Sequence, residues 1–150
     1  MPLDPRIHAL FDGPNFAHVA TSMPDGSPHV APVWIGIEDG RPTFAKEETA
    51  VAVRNLRRDP RVAISVNNVE DPYEEAHVRG RAVELRGEPE ASAWLDALSI
   101  PYTGAPYPTD HPVPLVLIVV EIERAGFGHF TDVEHTPPDF PLQLPRRPTG

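Results

Sequence analysis

The chain has no cysteine, which excludes disulfides, thiolate chemistry and a zinc thiolate site. It has a single lysine, Lys46, and only 13 basic residues against 22 acidic ones. The formal net charge of -9 therefore offers no overall basic surface of the kind that phosphate backbones require, and a nucleic-acid partner is not expected. Long hydrophobic runs are missing as well: the longest, near Leu115 to Val120, is far too short to span a bilayer. The first residues, Met1 to Arg6, lack the charged and apolar regions of a secretion signal. A cytoplasmic protein without a membrane partner is the expectation. The seven histidines show no metal-ligand spacing, so no metal site is expected. No Gly-x-Ser-x-Gly elbow surrounds Ser22, Ser27 or Ser65, so nucleophilic hydrolysis has no support.

What is present is a chain of 150 residues, 40% of them hydrophobic, enough for one domain with a core. Its most informative stretch runs from Ala17 to Ile37. Alternating apolar residues flank a Pro24-Asp25-Gly26 turn, which predicts a β-hairpin with one covered face. Val33, Ile35 and Ile37 would point one way, and Pro32, Trp34 and Gly36 the other. A proline within a strand cannot donate to a ladder, so Pro32 marks an edge, a bulge or backbone left free to meet a ligand. Pro32-Val33-Trp34 is therefore a candidate ligand edge. The plainer alternative is a core or interface aromatic beside a bulge.

Beyond the hairpin, the pattern predicts a short helix over Pro5 to Leu10 and a strand over Arg41 to Ala45 after the Asp39-Gly40 turn. A helix follows over Thr49 to Arg58, with Thr49 as N-cap and arginines near its end. Strands are predicted over Arg61 to Val66, Ala76 to Leu85 and Val113 to Ile122, and a helical segment over Glu90 to Leu98. About six strands with only short helices between them make the fold mainly β, a small barrel rather than a doubly wound sheet. The barrel domain is expected over residues 1–135. The proline-dense stretch from Thr136 to Gly150 reads as an extended or disordered tail.

Four segments carry a family resemblance. The hairpin from Ala20 to Trp34 (ATSMPDGSPHVAPVW) is followed by Arg54 to Val66 (RNLRRDPRVAISV), then by Asp71-Pro72-Tyr73 and by Val78 to Arg81 (VRGR). Together they resemble the split β-barrel flavin and deazaflavin proteins of the pyridoxamine 5′-phosphate oxidase-like superfamily. The entry at Pro14 to Thr21 and the segment Tyr102 to Tyr107 (YTGAPY) are similar to its coenzyme F-420-dependent branch.

The resemblance implies a six-stranded, FMN-binding-like split barrel that forms a homodimer, with cofactor sites at the subunit interface. The cofactor would be coenzyme F-420, or alternatively FMN, its ring against the backbone of Pro32, Val33 and Trp34. Its phosphate would lie near Ala45 and Lys46, the loop through Thr49 and the start of the next helix, where unsatisfied N–H groups favour an anion. Arg54 is a further nearby cation. The family's usual lysine or arginine, three residues before Asn55, is replaced by Ala52, and Glu47 and Glu48 add negative charge. Two readings follow: an oxidoreductase passing hydride to a small conjugated substrate, with no catalytic side chain identifiable, or a non-enzymatic dimer that binds a flavin-like ligand or has lost it.

Overall fold

A computed structural model describes residues 2–108 and 112–129. The expected tail at 136–150 and the end of the barrel domain at 130–135 lie outside the described residues. The chain runs α1 (Pro5–Asp12), β1 (Phe16–Ser22), β2 (Pro28–Trp34), β3 (Gly36–Glu38), β4 (Arg41–Glu47), α2 (Val51–Arg58), β5 (Arg61–Asn67), β6 (Glu74–Arg86), α3 (Glu90–Thr103) and β7 (Leu115–His129). All the strands join one antiparallel sheet in the order β2-β1-β5-β6-β7-β4-β3. The fold is mainly β, a curled sheet with three short helices, as a split barrel requires.

Period-two alternation builds the barrel interior. Ala17 and Val19 of β1, Val62, Ile64 and Val66 of β5, and Ala76 and Val78 of β6 are all buried, while the residues between them face outward. On β7 the run Leu115 to Val120 is buried on both faces. Val116, Ile118 and Val120 join the barrel core, whereas Leu115 and Leu117 lie under α3 with Ala91 and Leu95. Two-sided burial explains why this strand reads as a continuous apolar run rather than an alternating one.

Helix α1 closes one side of the core with Ile7, Leu10 and Phe11, spaced to share a face. Asp4 caps it by accepting from the Arg6 N–H at 2.9 Å. The hairpin turn forms as the sequence predicts: Gly26 adopts φ +85, and the Met23 N–H donates to the Ser27 carbonyl at 2.8 Å. At the next turn Asp39 and Gly40 both take positive φ, 51° and 75°, matching the twist of a tight hairpin.

Four expectations need correction. There are seven strands, not six, because the predicted second strand is interrupted at Ile35, which separates β2 from β3. The interruption has a long-range cause: the Ile35 N–H donates to the Tyr102 hydroxyl at 3.1 Å rather than to a neighbouring strand. Thr49 does not cap α2. The Ala50 N–H closes a turn onto the Glu47 carbonyl at 2.9 Å, so the helix starts at Val51 with Ala50 as an N-cap that has no side-chain hydrogen bond. Finally, β7 continues well past Ile122 to His129, and α3 extends through Pro101 to Thr103.

Candidate functional site

Curling brings β2, one edge of the sheet, towards β4 near the other end of the strand order. Between them lies a cleft of about 460 Å³, within the usual range for ligand sites. Pro32, Val33 and Trp34 form one wall, and Ala45, Lys46 and Glu47 of β4 form the other. Ala50, Leu95, Leu115, Phe16 and Tyr107 complete the lining. Among the described residues Pro32 stands in an edge strand that ladders with β1 alone, the kind of strand in which a proline is tolerated.

The aromatic wall is fixed from behind. The Tyr102 ring stacks on Trp34 at a centroid separation of 5.0 Å and 17° between planes, and meets Phe16 edge-on at 5.9 Å. Tyr107 packs edge-on against the Trp34 ring at 5.9 Å. The Tyr102 hydroxyl donates to the Asn15 carbonyl at 2.6 Å while it accepts from Ile35. Burial pushes this phenol above its ordinary pKa, so it remains a donor at neutral pH. One side chain of α3 thus locks the strand break and the stack against which a ligand ring would lie.

The opposite end of the cleft is polar. The Lys46 side chain makes no hydrogen bond or ion pair among the described residues, leaving its ammonium available to an anion. Ala50 is the N-cap of α2, and with no capping side chain the first-turn N–H groups of that helix lack an intrahelical acceptor. Glu48 is turned away: Arg57 Nη2 donates to both its oxygens at 2.8 and 2.9 Å. Glu47 remains in the lining beside Lys46.

Five of the seven residues singled out in the sequence, Pro32, Val33, Trp34, Ala45 and Lys46, therefore meet at one cleft. Thr49 is exposed, and Thr49 and Arg54 are absent from the cleft lining; Arg54 is also exposed, one helical turn past Ala50. Ala52 is 2% exposed, so its side chain faces the interior. The missing cation at that position is not a vacancy in this cleft. Phe16, Leu95, Tyr107 and Leu115 were not identified from the sequence, although YTGAPY carried a signal in its two tyrosines.

Comparison with known proteins places this geometry. The family model for pyridoxamine 5′-phosphate oxidase matches residues 3–127. The chain belongs to the pyridoxamine 5′-phosphate oxidase family. No curated protein matches it. Among solved structures in this superfamily, an F420 reductase is 26% identical, with a TM-score of 0.73 over 83% of this chain and 98% of the other. A conserved hypothetical protein from Mycobacterium tuberculosis is 24% identical, with a TM-score of 0.71 over 91% and 92% of the two chains. A pyridoxamine 5′-phosphate oxidase-related, FMN-binding protein from Nostoc punctiforme shares the fold at 17% identity, with a TM-score of 0.59 over 85% and 86%.

A second constellation lies at the far corner of the sheet. Register pairs Glu74 with His129, and the turn before β6 brings in Asp71. One ligand-type atom from each of these three lies within 4.8 Å of the others. The hydrogen bond from His129 Nε2 to Asp71 Oδ2, 2.8 Å long, holds the Asp71 carboxyl below its ordinary pKa. Asp71 and His129 are 58 residues apart, so no sequence spacing announces the pair. Among the described residues no helix is long and apolar enough to cross a membrane.

Proposed function

We propose that this protein is an oxidoreductase that holds reduced coenzyme F-420 in the β2–β4 cleft and passes hydride to a small conjugated substrate. The observation that carries the reading is the cleft itself, with an unhindered proline-containing edge, an aromatic wall and an unpaired lysine beside an uncapped helix start. The 26% identity to an F420 reductase supports the deazaflavin over FMN.

The chain's residues fit such a group. Pro32, Val33 and Trp34 would bind one side of the ring through edge-strand backbone. Lys46 and the first N–H groups of α2 would hold a phosphate, the helix start contributing its positive dipole end. The bound group supplies the hydride chemistry itself. Phe16, Trp34, Leu95, Tyr107 and Leu115 would exclude water from the reacting face, and Tyr102 would hold the stack rigid. A second copy of the chain would complete the open side as a homodimer.

A second reading, a binding protein without catalysis, is favoured by Glu47, whose carboxylate lies in the same lining as Lys46 and opposes an anionic ligand. Fluorescence titration of the cofactor-free protein with coenzyme F-420 and with FMN tests both readings. Saturable micromolar binding of F-420, followed by oxidation of the separately reduced coenzyme when a conjugated acceptor is added, supports the enzyme. Binding without turnover supports the second reading, and binding of neither cofactor overturns both.

A further inference from the structure

We infer that the outer face of the sheet carries a separate binding site for a compact polyvalent oxyanion, of the phosphate or diphosphate class, in a bowl walled by Arg61, Arg79 and Arg81. The bowl encloses about 350 Å³ and shares no lining residue with the β2–β4 cleft. Its floor follows from register. Ala20 pairs with Ala63 and Ala63 with Arg79, so two methyl side chains lie side by side where an outward sheet face would otherwise carry longer groups.

The charges around that floor are arranged at a cost. Arg61 stands directly opposite Arg81, and Arg79 directly opposite Arg124 on the adjoining ladder. Like charges facing one another across strands are destabilising, and this chain of net charge -9 places two such pairs next to each other. Internal carboxylates answer only half of them. Asp59 meets Arg61 at 2.7 Å, and Glu123, itself in the bowl lining, meets Arg81 at 3.1 Å. Arg79 and Arg124 have no carboxylate partner among the described residues. Glu121 also stands opposite Arg81 on the adjoining ladder, so of the three wall arginines it is Arg79 that is left without a carboxylate.

A tetrahedral oxyanion matches this arrangement. Guanidinium groups offer paired N–H donors to phosphate oxygens, and a multivalent anion relieves both opposed pairs at once. Glu123 must yield, which costs little because the Arg81–Glu123 pair is exposed on both sides.

Isothermal titration of the full chain with inorganic pyrophosphate tests the site. The expected result is saturable binding that weakens at least about tenfold in Arg79→Gln, with only partial recovery in Arg79→Lys, because a point charge lacks the fork. Near-UV circular dichroism should be unchanged in these variants, since Arg79 is exposed. Lys46→Ala should leave pyrophosphate affinity intact while weakening F-420 binding, which keeps this site distinct from the cleft. Absence of saturable heat, an unaltered affinity in Arg79→Gln, or loss of affinity in Lys46→Ala would each overturn the inference. A face covered by a second copy would also overturn it, and would show as no pyrophosphate binding together with a shifted sedimentation coefficient in Arg79→Gln.

Discussion

Strands β5, β6 and β7 and the corner where β2, β3 and β4 meet belong to one sheet, yet they use their residues in opposite ways. In the centre the inward side chains of β5, of β6 from Ala76 to Ala82 and of β7 from Val116 to Val120 are covered, and each strand has a neighbour on both sides. At the corner the strand breaks at Ile35, a proline occupies an edge, α2 starts without a capping side chain and Lys46 has no partner among the described residues. The centre stabilises the fold by burial. The corner leaves hydrogen-bonding groups and charge unsatisfied within a structure rigid enough to keep them there, which is how a binding site differs from a core.

The difference is broken most severely by removing a central side chain. Ile118 is fully buried among the inward residues of neighbouring strands, and Ile118→Ala should cost about 2–5 kcal/mol in urea-induced unfolding. Affinity for F-420 in the remaining folded fraction should stay close to that of the parent. A cost below about 1 kcal/mol would mean that the centre relaxes as readily as the corner.

Tyr102 connects the two regions, and Tyr102→Phe should affect both. Loss of its hydroxyl leaves the buried Asn15 carbonyl and the Ile35 N–H without this partner, a cost of about 1–3 kcal/mol. The ring stack on Trp34 is retained, so altered near-UV circular dichroism would report movement of the strand break rather than loss of the aromatic contact.

Lys46→Ala should reverse that pattern. With no partner to lose, stability should stay within about 0.5 kcal/mol. Ligand affinity should fall by about tenfold or more, as expected for a charged hydrogen bond to phosphate. Comparable losses in stability and affinity would make Lys46 part of the scaffold instead.

These regions were also unequally legible in the sequence. The hairpin around Asp25-Gly26, the Asp39-Gly40 turn and the central strands follow from local chemistry, since alternation and turn geometry are written within a few residues. The break at Ile35 is not local: it depends on Tyr102, 67 residues away, and that dependence produced one strand too few. Thr49 has the chemistry of an N-cap, but the turn between Glu47 and Ala50 moves the cap one residue beyond it. Ala45 and Lys46 could be singled out only through resemblance, because nothing in their own pattern distinguishes them from other strand residues. Arg79 and Arg81 share a strand face by alternation alone, but their opposition to Arg124 and to Arg61, 20 residues from Arg81, appears only with the register.

The smallest effect belongs to the junction where α2 hands the chain to β5. Asp59 ends the helix, accepts from the Arg61 N–H at 3.2 Å and pairs with its guanidinium, and these bonds lower its pKa from the ordinary 3.8 to about 2. A carboxyl whose folded-state pKa is depressed stabilises the protein when ionised, so its contribution is fully present above its unfolded pKa and is lost as pH falls towards the folded one. The window is therefore about pH 4 down to 2. The pair is exposed and screened, so Asp59→Asn should change stability only slightly at neutral pH. The diagnostic is the slope: urea midpoints measured between pH 4 and pH 2 should fall less steeply in Asp59→Asn than in the parent. Equal slopes would place the acid sensitivity elsewhere, with Asp71 and its His129 hydrogen bond at the opposite corner the next group to substitute.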